Sequence, residues 1–308
     1  MSTAAEGATT PAGDLVPGQD AGPHDEVTRQ VRRGRRRIDP SLAVGLVMTG
    51  VFLLVAVVSV FWTPVDPNAV APVDRLLPAG TPGHLLGTDA LGRDVASALM
   101  VGARTSIVVA AGAALLSLVL GVVAGLTAAS SRPIVDETVM RGADILLSIP
   151  GIVFALVLAA TVGAGIGSTI FALTVFFTPS FMRVARAAAL RVLGEDYITA
   201  AVLYGRKRLF ILAWHVLPNI FSVLIVQFTL YFAVGILTEA GLSYLGVGVN
   251  RPDVSWGMLL KEAQETVGVA SPLAIWPGLA IVFAVLGLNL LGDGLRDVLD
   301  PRLRRRAP

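Results

Sequence analysis

The chain contains no cysteine. Disulfides and every cysteine-based metal or redox centre are therefore excluded. It has three histidines, His24, His84 and His215, set far apart in different kinds of segment, which argues against a histidine metal cluster. Only 15% of its 308 residues are charged, whereas a soluble domain carries about a quarter. Lysine occurs only at 207 and 261; with the abundance of Ala, Val and Gly, this arginine bias reads as a GC-rich coding sequence rather than as function. No G-x-x-x-x-G-K-[ST] loop is present, so the chain does not bind ATP in the P-loop manner and holds no cofactor of its own. Nor is there a Ser/His/Asp set, an H-E-x-x-H or a paired-carboxylate arrangement, which leaves little support for an enzyme. Nothing suggests a nucleic-acid partner.

Hydrophobic residues make up 54% of the chain, with mean hydropathy +0.74. Residues 1–37 combine Gly, Pro, Ala and acids with the basic run Arg32, Arg33, Arg35, Arg36 and Arg37, and read as a disordered tail unable to build a core. Leu42 to Trp62 is 21 uncharged residues, enough to span a bilayer, which needs about 20. With no small-residue cleavage site after it, a retained first helix is preferred to a signal peptide. Further uncharged runs predict an all-α, polytopic membrane domain over 38–308. Its six expected transmembrane helices fall near 42–62, 105–129, 145–163, 168–186, 216–238 and 272–292. The third and fourth separate at the turn-forming cluster Gly163 to Ser168.

The middle thirds of these spans carry no Asp, Glu, Lys, Arg or His. Ion- and proton-coupled transporters normally need such residues, so a self-powered transporter is disfavoured; a passive channel or secondary transporter is the alternative reading. With both termini cytoplasmic, 19 of the 24 basic residues fall inside, and Arg75, Arg93, Arg104, Arg251 and Lys261 fall outside. The positive-inside rule favours that arrangement, with Trp62, Trp256 and Trp276 near the outer interface. The basic runs at both ends also attract anionic membrane lipid.

The inside loop 187–215 carries the strongest local signals. Glu195 and Asp196 sit where acids favour a helix start, and Gly205 sits just past its end. Ala200 and Ala201, taken alone, are ordinary helix filler, but they leave a shallow face for close approach to a partner. Asp89 and Arg93 read as an i,i+4 pair opening the second helix. His215 reads as an interfacial residue bonded to a backbone carbonyl. Pro150, Pro179, Pro218 and Pro277 lie in or beside spans and kink them.

Thr199-Ala200-Ala201, Gly205 and Leu217-Pro218 keep the spacing of the EAA loop of binding-protein-dependent ABC importer permeases. Thr199 stands where that pattern has glutamate, and His215 where it has isoleucine. The stretches Leu86 to Val95, Gly102 to Ser106, Arg141 to Asp144, Ser148 to Pro150 and Glu239 to Gly246 resemble the C-type subunit of dipeptide, oligopeptide and nickel permeases. Ser255 to Gly257 and Leu290 to Leu303 extend that resemblance. It implies a type I ABC importer permease fold and a non-catalytic subunit forming half of a translocation pathway for peptides or a similar solute. The implied partners are a second homologous permease, cytoplasmic ABC ATPase subunits that bind the ATP, and an extracytoplasmic binding protein. Glu195, Asp196, Thr199, Ala200, Ala201, Gly205, Leu217 and Pro218 would couple to the ATPase. The outside segments 63–95 and 239–272, with Asp253 and Lys261, would dock the binding protein.

Overall fold

The structure, a computed structural model, describes residues 40–266, 268 and 272–299. The tail expected at 1–37 lies outside the described residues. Among the described residues the chain is a helical bundle with no strands, consistent with an all-α polytopic permease.

The first helix, α1 (Pro40–Phe61), carries no charge. A chain of turns follows and ends at Asp94, whose carboxylate caps α2 (Val95–Ser130) by accepting from the Ser97 amide at 2.8 Å. This cap starts α2 ten residues before the uncharged run, because an N-cap rather than hydrophobicity sets where a helix begins. The Asp89–Arg93 pair forms, with the Arg93 Nε 3.6 Å from the carboxylate and the Arg93 amide donating to it at 2.9 Å, but inside the preceding turn rather than on the helix.

The third expected span is broken. α3 (Pro133–Ser148) and α4 (Gly151–Val162) meet at 88°, because a proline at 150 removes an amide donor and forces Ile149 out of helical geometry. α5 (Ile166–Leu193) and the short α6 (Asp196–Leu203) follow. α7 (Arg208–Tyr244) starts eight residues earlier than the expected 216 and continues past 238. Its π turn at Leu212–Val216 lies where Pro218 lacks an amide for the helical ladder, a usual way of absorbing a proline. α8 (Trp256–Gln264) and α9 (Pro272–Leu299) complete the described elements. Five helices, α1, α2, α5, α7 and α9, are long and apolar enough to cross a membrane, and the bent pair α3–α4 is the sixth candidate.

Helix α2 is the hub and packs most extensively against α5. A Cβ on Gly121 would lie 2.5 Å from the Phe181 Cβ, and one on Gly125 would lie 2.5 Å from the Met182 carbonyl oxygen. The G-x-x-x-G spacing thus lets the two backbones touch, as small residues do in membrane bundles. Trp256 is not interfacial: it is 4% exposed, packs on Phe52 with ring centroids 5.4 Å apart, and donates its indole N–H to the Leu99 carbonyl. Trp62, at the end of α1, is exposed.

Candidate functional site

The end of the bundle that carries α6 gathers most of the residues expected to couple to an ATPase. An eight-residue helix is too short to hold itself in water, and α6 is held from beneath. Ile198, 3% exposed, sits in a cluster with Ala185, Ala189, Ile211, Val216 and Ile220. Ala201 and Leu217 pack on the same cluster, which is how the two halves of the loop pattern come together. Glu195, Asp196, Thr199, Ala200, Gly205 and Pro218 are exposed, and Glu195 makes no side-chain cap.

Tyr197, Ala200, Ala201 and Tyr204 recur at helical spacing and face one open depression of about 560 Å³, completed by Arg206, Phe210 and His215. The helix ends in a paired motif: Gly205 donates to the Val202 carbonyl and Arg206 to the Ala201 carbonyl. Gly205 has φ +74°, a left-handed value that glycine adopts without cost. Around the depression, Leu203, Tyr204 and Leu209 stand exposed. The Arg206 guanidinium lies 5.0 Å from the centre of the Phe210 ring. His215 departs from expectation: its ring lies edge-on to Phe210 and Tyr197, while its own carbonyl accepts from the Asn219 amide at 2.6 Å.

Ion pairs tie the bent pair to the bundle near this end. Arg186 on α5 forks onto Asp136 of α3, and Arg183 pairs with Asp144. They hold α3 against α5 through charge-assisted bonds.

At the opposite end, residues 62–94, 245–255 and α8 form a folded cap. Arg251 donates to both carboxylate oxygens of Glu262 at 3.1 and 3.0 Å and to the Asn68 side-chain oxygen at 2.6 Å. Arg93 reaches the same glutamate at 3.3 Å, and Asn68 donates to the Pro252 carbonyl. Burial opposes the charge on Glu262, but the hydrogen bonds and charge of Arg251, with Arg93 behind it, outweigh it and hold the carboxyl below its ordinary range. Asp253 and Lys261, the candidates for docking, are exposed. Lys261 places its ammonium over Gly246.

Sequence reasoning missed three charged positions. Glu239, fully buried in α7, accepts from Ser106 at 3.1 Å and from Ser243 at 2.7 Å. It lies one residue beyond the uncharged window, so residues 239–244 belong to a membrane helix and not to an outer segment. Glu262 had no local signal, since its partners come from separate turns. Arg104 is the tenth residue of α2, half-buried, and makes no hydrogen bond or ion pair among the described residues. Its signal was available: an arginine between two apolar runs, Val95 to Ala103 and Ser106 to Ala114. Among the described residues no cluster of metal-ligating side chains occurs.

Residues 117–305 match the family described as binding-protein-dependent transport system inner membrane component. A candidate peptide transport system permease of Brucella suis is 39% identical over 285 residues, 92% of this chain and 95% of that protein. A glutathione transport system permease protein of Pectobacterium atrosepticum is 36% identical, covering 84% of this chain and 87% of its own length. A di/tripeptide transport system permease protein of Pseudomonas aeruginosa is 37% identical, covering 85% and 88%.

Proposed function

The chain belongs to the family of binding-protein-dependent transport system inner membrane components, and from that premise we propose that it forms half of the pathway of an ATP-driven importer for peptides. It is a multi-pass inner-membrane permease subunit and performs no bond chemistry. The relatives named for di/tripeptides and for glutathione support a short peptide as the solute. The α6 end faces the cytoplasm and docks an ATPase; the cap faces outward and receives a binding protein; a second, homologous permease completes the pathway. The bias of basic residues toward the α6 side supports this orientation.

The observation that carries the mechanism is the α6 depression. A short helix with a small-residue floor and aromatic rim is pinned to the bundle by one buried isoleucine and led directly into α7 through a glycine turn. Movement of a seated ATPase would therefore push on α7 and α5 as a lever. ATP binding and release would rock the two permeases between outward- and inward-open arrangements.

The test is uptake of radiolabelled dialanine into vesicles that contain this chain with its candidate partners. Uptake must require ATP, the ATPase and the binding protein. Uptake with the ATPase omitted would instead indicate a channel or a secondary transporter. Sidedness is tested with single cysteines at Val73, Ala164 and Asp253, which should react with an impermeant reagent from outside, whereas one at Tyr204 should not.

A further inference from the structure

One face of α2 around residue 104 is covered by the chain itself, and Ala103, Thr105 and Val109 on its flanks are buried as well. Gly102 abuts the Trp256 ring, Ser106 bonds Glu239 of α7, and Ala110 touches Gly235. The opposite side is more open and presents Arg104, Val108, Leu115 and Val119, with half-buried Ala111 packed on the core at its edge. Val108, Leu115 and Val119 are about half exposed, at 49%, 54% and 53%. Arg104 is the one charged member of this stripe.

Its surroundings differ from those of the arginines near the α6 end. Arg183 and Arg186 on α5 each have a carboxylate partner; Arg104 has none among the described residues. Its neighbour Ala103 shares a cluster with Phe52 of α1, nine residues before Phe61. Ser97, seven residues before Arg104, accepts from the Val65 amide just past the end of α1, so Arg104 lies roughly 10 Å below that level at the helical rise per residue, more than an arginine stem spans to reach a headgroup. A cation at such depth does not face hydrocarbon; it faces water or an anion.

We propose that this face of α2 lines the translocation pathway and that Arg104 is its anion-attracting residue, receiving the carboxylate of a solute in transit. The inference rests on the importer reading. A short peptide carries a C-terminal carboxylate whatever its side chains, and the guanidinium fork matches that group in geometry and charge. The other residues of the stripe are apolar and make no specific demand on side chains. One fixed cation on a smooth apolar wall would suit solutes that vary in sequence but share a carboxylate.

Because the chain has no cysteine, each probe site is unique within it, and the importer without an introduced cysteine supplies the background rate. The assembled importer, with its second permease and ATPase, is placed in nanodiscs carrying Val108→Cys or Leu115→Cys. Reaction rates are measured with an anionic sulfonatoethyl and a cationic trimethylammonioethyl methanethiosulfonate. Both positions should react, and saturating dialanine delivered by the binding protein should slow the reaction. At Val108→Cys, adding Arg104→Gln should lower the anionic-to-cationic rate ratio about tenfold. This follows from unit charges about 6 Å apart in water, worth about threefold for each reagent. Arg104→Lys should keep the ratio. Failure of both cysteines to react would overturn the proposal and mean that lipid or the second permease covers this face. A ratio indifferent to Arg104→Gln would overturn it too, as expected if Arg104 pairs with a partner's carboxylate or a lipid phosphate. Uptake by the unsubstituted complex, measured alongside, tests the importer reading separately: importing vesicles with unreactive cysteines reject only the role of Arg104.

Discussion

Replacing Ile198 by alanine should detach α6 without unfolding the bundle. Ile198 is 3% exposed and lies between Ala185 and Ala189 of α5 and Ile211, Val216 and Ile220 of α7. Isoleucine-to-alanine changes in such sites cost about 2–5 kcal/mol. The lower end applies, because one side of this cluster is a surface helix that can settle inward. The remaining α6 residues are exposed apart from half-buried Ala201. An eight-residue helix without its anchor falls well below the roughly 12–15 residues that persist alone. A loss of about 2 kcal/mol raises the open population about 30-fold. Hydrogen exchange in nanodiscs reads this at the amides of Tyr204, Gly205 and Arg206, which donate to Ala200, Val202 and Ala201. They should exchange about 30-fold faster, while α2 amides at the Gly121–Gly125 contact stay protected. ATP hydrolysis should lose its link to uptake. Exchange at these amides within about threefold of the unsubstituted chain would refute the anchoring argument, as would an equal rise in α2.

Three further outcomes follow from the same geometry. Ala200→Trp fills the exposed floor of the depression and should abolish coupled uptake with normal membrane insertion, whereas Thr199→Ala, at an exposed position without a carboxylate, should be mild. Ala200 is a cleaner probe than Ala201, which also packs on its own core. Gly125→Val puts a Cβ 2.5 Å from the backbone oxygen of Met182, so overpacking of about 1–3 kcal/mol or more should lower the thermal midpoint of the purified subunit. Glu262 titrates below its ordinary 4.5 in the fold, so its contribution to the cap is complete above that pH and disappears as pH falls through the lower folded value. Glu262→Gln should therefore loosen cap exchange at pH 7. The difference from the unsubstituted chain should vanish in acid and shrink in high salt, because the pair is partly exposed.

The family, the helical class and the short helix after Glu195 were legible in the residues themselves. Hydrophobic run length answers to bilayer thickness, a property of the solvent rather than of tertiary contacts. Gly205 was readable because a left-handed turn is a local backbone demand, and the short helix 196–203 lies where Glu195, Asp196 and Gly205 place it. The helix ends were not legible in the same way. Arg104 and Glu239 lie within helices because capping and buried serines accommodate them, and no window of uncharged residues contains that information. Nor could sequence say that Trp256 would be covered by Phe52, or that Arg251 and Arg93 would meet on Glu262, since their partners come from distant parts of the chain. Only the packing of α1, α5, α7 and α8 around α2 decided which of its faces remained open, and that left an arginine there without a partner among the described residues. Periodicity specifies that a helix has faces, but which face stays uncovered depends on every neighbour at once.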